Sequence, residues 1–465
     1  MRPASASEFE SPEIGRHSLA TWLVAGYLVL FLIRPWEVLA PALAAWRVER
    51  IYAAAMVLVV LLTGQRMRGG LTVLAVVGMA CAAALSACQA WHAEYAWPAL
   101  YQYLTVVVTF FMILACCRRL EDLLLLVVVY LSAMFAYLGK ALWEYFVHGR
   151  HWHAQGVSRL VGIEETYGEP NALAMSVVLS LPFWCFLVRC RQELDERAAG
   201  PFRALLAVLR WGYPVLAVTS VGLTNSRAGM VGLVAFAVGA IWWAGSSRRF
   251  GRKVAITLAI LVGLFIVAPD EQWTRLRTLW RPDLGPSNAR ASADGRWAGF
   301  LAGWRMFQDY PVTGVGLGNF LPYRVTHVDG VGLIAHNLPG QLLGETGLVG
   351  AVCFALLVGS MWRDARDTRR LAAEGPLPNL YVQLPAACQL TILLLFLFGL
   401  SLHNGLRYNW LWIAAFTELA FRFSGEAWDE AQDVWHDAEA DPVDERAAES
   451  VGAADRIYAA AEGDA

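Results

Sequence analysis

The feature that most constrains this chain is a succession of apolar blocks, each close to the roughly 20 residues an α-helix needs to cross a bilayer. They fall at 18–34, 51–63, 71–88, 98–117, 122–146, 171–188, 205–223, 228–245, 253–268, 338–360, 381–399 and 406–422. The second is short and extends backward through Trp46. In lipid every backbone polar group must be satisfied internally, so twelve such blocks predict an all-α polytopic membrane protein of about 12 transmembrane helices. Composition agrees, with 57% apolar and only 16% charged residues. A soluble domain carries about 25% charge, so an ordinary soluble enzyme is excluded.

An even number of spans puts both termini on one side, and Arg and Lys identify that side because cytoplasmic loops retain them. Clusters recur in every second loop: Arg66 and Arg68; Arg118 and Arg119; Arg189, Arg191, Arg197 and Arg203; Arg248, Arg249, Arg252 and Lys253; Arg363, Arg366, Arg369 and Arg370. Both termini are therefore expected in the cytoplasm, with residues 1–17 a cytoplasmic lead and 18–422 the membrane domain. Residues 424–465 carry 13 Asp or Glu against two Arg, a net of −11 within a chain of net −2. The stretch 423–465 reads as an acidic, disordered or loosely helical cytoplasmic tail. No cleavable signal peptide is expected. The eight Cys lie in or beside the spans, which implies no disulfide framework.

The outward (periplasmic) side then holds the unusual residues. Its longest segment, 269–337, contains Arg275, Arg277, Arg281, Arg290, Arg296, Arg305 and Arg324. Two readings fit: a small domain with an ordinary basic surface, or arginines gathered to hold a polyanion, whose oxygens match the guanidinium fork. From Gly295 to Tyr310 the residues Trp297, Phe300, Leu301, Trp304 and Phe307 form one helical apolar stripe with Arg296 and Arg305 at its edges. That predicts an interfacial amphipathic helix whose arginines either snorkel or bind. Arg227 sits in the tight connection Asn225–Gly229, where a charge at the membrane surface is costly unless paired or functional. Arg159 and several carboxylates, Glu165 among them, precede the Pro170–Asn171 pair that opens a span. Ala335, His336 and Asn337 close the large loop just before a span containing Gln341 and Glu345.

Other signals carry less. Gly314, Gly316 and Gly318 lack a following Gly-Lys and read as a flexible turn. His148, His151 and His153 have metal-like spacing but too few partner ligands, so no metal is assigned. Lys140 and Glu144, four apart, are expected to pair within their helix.

Four stretches together resemble the O-antigen ligase and O-antigen polymerase superfamily of bacterial envelope glycosyltransferases: RLVGIEETYGEPNALA at 159–174, TNSRAGMVGLV at 224–234, GRWAGFLAGWRMFQDYPVTGVGLGNF at 295–320 and AHNLPGQLLGETGLVG at 335–350. They stand in the family's order across about 150–360. The resemblance implies a GT-C-like, metal-independent transferase without cofactor. It would move a glycan from an undecaprenyl diphosphate carrier to an acceptor hydroxyl on lipid A core, a growing polysaccharide or a protein, with membrane lipids and no nucleic acid among its partners. His336 matches the family's essential loop histidine, Arg227 and Arg296 its diphosphate-binding arginines, and Arg159 and Asn171 its RxxG and Pro-Asn pattern. Glu169 stands where an Asp is usual. Asn337 is expected beside the substrate, and Arg305, Glu345 and Glu165 are supporting candidates.

The implied chemistry suits the residues. Outside the cytoplasm the energy for transfer must arrive in a lipid diphosphate, an anionic leaving group that Arg can stabilise. No Asp-x-Asp pair faces outward, so Arg would replace the usual divalent cation. A neutral imidazole can take the acceptor's proton, with inversion at the anomeric carbon, and Glu165 is the second candidate base. The rival classes are a transporter or flippase for a lipid-linked or anionic solute, and a noncatalytic envelope protein. The sequence shows no internal repeat of the kind transporters carry.

Overall fold

The computed structural model describes residues 17–35, 48–62, 69–154, 157–162, 168–243, 251, 253–254, 287–375 and 377–440. The helices are α1 (Leu19–Ile33), α2 (Val48–Leu62), α3 (Leu71–Cys88), α4 (Ala93–Cys116), α5 (Leu120–Val147), α6 (Pro170–Arg189), α7 (Arg191–Arg197), α8 (Gly200–Leu223), α9 (Arg227–Trp243), α10 (Ser287–Asp309), α11 (Phe320–Tyr323), α12 (Leu338–Glu374), α13 (Leu380–Gly399) and α14 (Tyr408–Ala440). A two-stranded antiparallel hairpin, β1 (Trp152–Ala154) with β2 (Val157–Arg159), stands between α5 and α6, and a π-helical turn, Arg324–Val328, follows α11.

Seven of the described helices are long and apolar enough to cross a membrane, and Leu19–Ile33, Arg50–Leu62 and Arg227–Trp242 are shorter apolar helices. The apolar block at 253–268 lies outside the described residues beyond 254. Burial separates two kinds of apolar face. Leu123, Leu173, Tyr213, Phe398 and Phe416 are fully enclosed, whereas Trp211, Val215 and Val218 on α8 and Leu348, Val352 and Leu356 on α12 are exposed. Spaced three or four apart, the exposed residues form stripes that water would penalise and lipid tails accept.

The two ends of the bundle differ chemically. At one end the Arg-bearing connections are cross-linked: Arg197 to Glu121 at 2.7 Å, Arg210 to Asp195 at 2.7 Å, and the Leu380 N–H to Glu193 at 3.1 Å. Here Asp122 accepts from the Arg118 N–H (2.9 Å), and its other oxygen lies 2.7 Å from the His17 ring. The opposite end carries the hairpin, the starts of α6, α9 and α12, and the 310–337 segment.

Helix α12 is broken. Gly347 has φ 60°, and the backbone groups freed there are taken by the glycine-rich loop: Val315 N–H to Gly344 O (2.8 Å), Leu348 N–H to Pro311 O (2.9 Å) and Val349 N–H to Val312 O (3.1 Å). Glu345, within this break, accepts from the Gly318 N–H at 3.1 Å and lies 3.4 Å from the Gln341 amide, while its carbonyl accepts from Ser86 Oγ at 2.6 Å. The Gly314–Gly318 run, expected as a flexible turn, is instead a packed filler. Its three glycines have positive φ, and a Cβ on Gly314 would lie 2.4 Å from the Glu345 carbonyl carbon.

Two further expectations change. Glu144 lies 3.1 Å from His148, with no ion pair to Lys140 among the described residues, because His148 caps the end of that helix. The acidic tail boundary falls inside α14, which continues to Ala440 with Phe423 buried and Trp428 against Gly375. Residues 441–465 lie outside the described set.

Replacing Gly347 with Ala forces positive φ on a Cβ-bearing residue and sets that Cβ 2.6 Å from Val312 O. The variant should lose more than the roughly 1–3 kcal/mol of backbone strain alone. Gly330→Ala is the control, with φ 74° and open space around it. Thermal unfolding in detergent should show the larger drop for Gly347→Ala; equal drops would contradict the packed break.

Candidate functional site

Three helices begin side by side at the non-basic end. Helix α6 opens with Glu169 as N-cap, Pro170 at its first position and then Asn171. Helix α9 opens after Ser226, whose Oγ accepts from the Gly229 N–H at 3.2 Å and donates to Asn171 Oδ1 at 2.8 Å. Helix α12 opens after Asn337, whose Oδ1 accepts from the Gly340 N–H at 2.7 Å. Proline in the first turn and Ser or Asn at the cap are the residues a helix start requires. Orphan N–H groups and helix dipoles make such starts favourable for anions.

Arg159 and Asn171 are used to hold this arrangement. The buried Arg159 donates from Nε to Thr224 O (2.8 Å) and from Nη2 to Asn171 Oδ1 (3.0 Å). Asn171 Nδ2 donates to Glu169 at 3.2 Å. The turn before α9 is further tied to the hairpin through Asn225, in the left-handed region at φ 49°, which donates to Ser158 O at 3.0 Å. This bracing sets the start of α9, and Arg227 is its first residue.

The other half of the site comes from α10. Gly299, Ala302, Gly303 and Met306 are buried against α12, and a Cβ on Gly299 or Gly303 would lie 2.1 Å from Ala335 O or 2.3 Å from Gly340 O. Small residues four apart allow such contact between helix backbones. Trp297, Leu301 and Trp304, on the opposite face, are exposed, as the amphipathic reading requires. Asn337 locks the two helices together, because its Nδ2 donates to Arg296 O (2.9 Å) and Ala335 O (2.8 Å). Its amide is thereby committed within the protein rather than left open for a substrate.

His336 lies between these halves, half-buried, with φ 49°. Burial lowers its pKa, Glu169 raises it, and Arg296 and Arg324 lower it. Arg296 is likewise lowered, first by burial and then by Arg227, with Glu169 opposing. Glu169, Arg296 and Arg324 therefore act on His336, whose imidazole is held toward its neutral form, and Arg227 joins this group through Arg296.

The remaining candidates lie elsewhere. Arg305 is exposed; nine residues from Arg296 it falls half a turn round the helix and about 13.5 Å along it. Glu345 is committed to the break in α12. Arg324 is fully buried and paired with Asp329 at 2.8 Å, so this outward arginine is structural. Arg275, Arg277, Arg281 and the second candidate base Glu165 lie outside the described residues. Around the hairpin, the His153 ring lies 3.3 Å from Ser158 Oγ. Sequence reasoning missed His403, whose ring lies edge to face with His336 at 5.8 Å between centroids. A signal existed: the His-Asn pair of 336–337 recurs at 403–404.

Residues 213–355 match the family model for O-antigen ligase. The match supports membership of the O-antigen ligase/polymerase superfamily. Just under a third of the chain is covered, including α9, α10 and the α12 start with Arg227, Arg296, His336 and Asn337, while Arg159, Asn171 and His403 fall outside it. No curated protein matches the chain. The match to an O-antigen ligase model over these residues of a polytopic helical bundle supports a membrane glycosyltransferase-type function.

Replacing Asn337 with Ala removes a helix cap worth about 1 kcal/mol and leaves two carbonyls at the α10 contact without their donor. Asn337→Asp keeps the cap oxygen but turns a carboxylate toward those carbonyls. Both variants should unfold at lower temperature than the parent protein in detergent; an Asp variant of parental stability would show that the amide donors do not brace the site.

Proposed function

We propose that this protein transfers a glycan from a polyprenyl diphosphate, of the undecaprenyl type, to an acceptor hydroxyl on lipid A core, a growing polysaccharide or a protein, in lipopolysaccharide or exopolysaccharide assembly. The reaction belongs to the periplasmic face of the inner membrane. That orientation is supported by the segregation of the Arg-bearing connections to the end opposite His336. The observation that carries the reading is the grouping of His336 with Arg296 and Arg227 beside three helix starts.

In this reading the diphosphate lies against Arg227, Arg296 and the N–H groups that open α6, α9 and α12. His336, neutral, accepts the proton of the acceptor hydroxyl as its oxygen attacks the anomeric carbon. The bond from that carbon to the diphosphate oxygen breaks, and the leaving diphosphate takes the electron pair under stabilisation by the two guanidinium groups. One displacement inverts the anomeric centre. The arginines perform the charge neutralisation that a divalent cation supplies in other transferases. A transporter or flippase is the competing reading, favoured by the broken α12. The break is filled by the 311–318 loop instead of opening a path, which favours the transferase.

In the native host, His336→Ala and Arg227→Ala, each checked for normal membrane abundance, should abolish the mature glycan while carrier-linked precursor accumulates. Single repeats on the acceptor mark a polymerase and long unattached chains a ligase. Normal glycan in both variants overturns the proposal.

The pH dependence has a defined sign. With its pKa below the ordinary histidine value, His336 keeps its neutral form to lower pH than a free imidazole does, and transfer should fall as pH drops through the lowered pKa. Glu169→Gln removes the negative charge that holds this pKa up, so the acid limb should move to lower pH. A limb that stays in place or moves upward contradicts the assignment.

A further inference from the structure

The connection 400–407 between α13 and α14 packs on the start of α12. The Gly405 N–H donates to Gln341 Oε1 at 3.2 Å, and Cβ atoms on Gly399 and Gly405 would lie 3.0 and 2.8 Å from the Leu338 side chain. Asn404 fastens this connection by donating to Leu395 O at 2.9 Å, and its own carbonyl accepts from Trp410 Nε1 at 3.0 Å. That packing fixes His403 beside His336 with ring centroids 5.8 Å apart and planes at 76°.

His403 is an expensive choice for a wall. Its Nδ1 is buried without a hydrogen-bond partner among the described residues. An unsatisfied buried nitrogen costs about 1–3 kcal/mol, which Phe at the same position would avoid. The residue is only partly buried, and among the described residues Nε2 has no hydrogen-bond partner yet is not a buried orphan, so it keeps some accessible surface. A buried N–H without an acceptor is rarer in proteins than an under-used acceptor. The favoured tautomer therefore leaves Nδ1 bare and carries the proton on Nε2, as a donor at the surface next to His336. Burial, Arg407 and His336 together lower the His403 pKa to about 4, so the ring is neutral at physiological pH and offers this one N–H.

We infer that His403 is a substrate-contacting residue, its Nε2–H donating a hydrogen bond to a hydroxyl oxygen of the acceptor sugar and so selecting which hydroxyl meets His336. The inference rests on His336 being the base of the proposed transferase. Neighbouring sugar hydroxyls differ little in reactivity, and a fixed donor beside the base holds one of them in line. Asn404 is a positioning residue that holds the loop.

The test uses full-length protein in native membranes, a lipid-linked glycan donor, varied acceptor concentration and linkage analysis of the product. His403→Phe keeps the ring and removes the donor; His403→Gln restores an N–H near the same place. The Phe variant should raise the acceptor KM about tenfold, the effect of one neutral hydrogen bond of about 1.4 kcal/mol, leave the donor KM unchanged and broaden the linkage pattern. The Gln variant should recover most of the loss. Thermal unfolding of the Phe variant at or above the parental temperature separates the effect from misfolding. A Phe variant with parental acceptor KM and a single linkage overturns the inference, as does a Gln variant that folds but does not recover. His336→Ala, run in parallel, distinguishes the two failures: loss of transfer there with a normal Phe variant removes His403 and leaves the base in place.

Discussion

The site depends on how closely α10 can approach α12. A Cβ placed on Gly299 would lie 2.1 Å from the carbonyl oxygen of Ala335, just before α12, and one on Gly303 would lie 2.3 Å from that of Gly340 within it. Only this contact lets Asn337 reach the Arg296 carbonyl while capping its own helix. Arg296 and His336, about 40 residues apart in sequence, are thereby set in register. The aromatic residues on the far face of α10 then face outward, where a membrane interface suits them. Arg296 thus stands on the packed side of α10, close in angle to Gly299 and Gly303, with the aromatic stripe on the other side.

A second constraint is the broken helix. Thirty-seven residues of continuous α-helix would run about 55 Å, well beyond a hydrocarbon core of about 30 Å. Gly347 ends the first part of α12 a few turns after His336, and the 311–318 loop takes up the freed backbone groups. Glu345 ties that loop through Gly318, and Ser86 ties the break to α3. The start of α12 is therefore held from α10, from the glycine loop and from the 400–407 connection. A rigid mounting of this kind lets a half-buried His336 persist in the left-handed region, an unusual conformation for a side chain of its size.

Much of this was legible in the sequence, and the exceptions have physical causes. Apolar blocks announce helices because lipid leaves the backbone no other partner, and α3 lies where its block predicts. Helix ends were less legible: α14 runs past Arg422 because Trp428 still finds a surface at Gly375, and composition alone does not report that contact. The glycine run looked flexible because sequence records permitted conformations but not the carbonyls that fill the space. Arg159 and Asn171 stood out by pattern, yet their hydrogen bonds go to the turn before Arg227 and to each other. His403 passed unnoticed because its meaning depends on a contact with a residue 67 positions earlier.

The central claim is that a neutral imidazole and two arginines move a glycan off a lipid diphosphate without a bound metal. The most direct measurement incubates the purified full-length protein with a polyprenyl diphosphate glycan and its acceptor in excess EDTA, following release of the carrier diphosphate and the anomeric configuration of the product. The account predicts undiminished stoichiometric transfer with inversion. Transfer that stops when divalent cations are chelated, or that retains configuration, would contradict it.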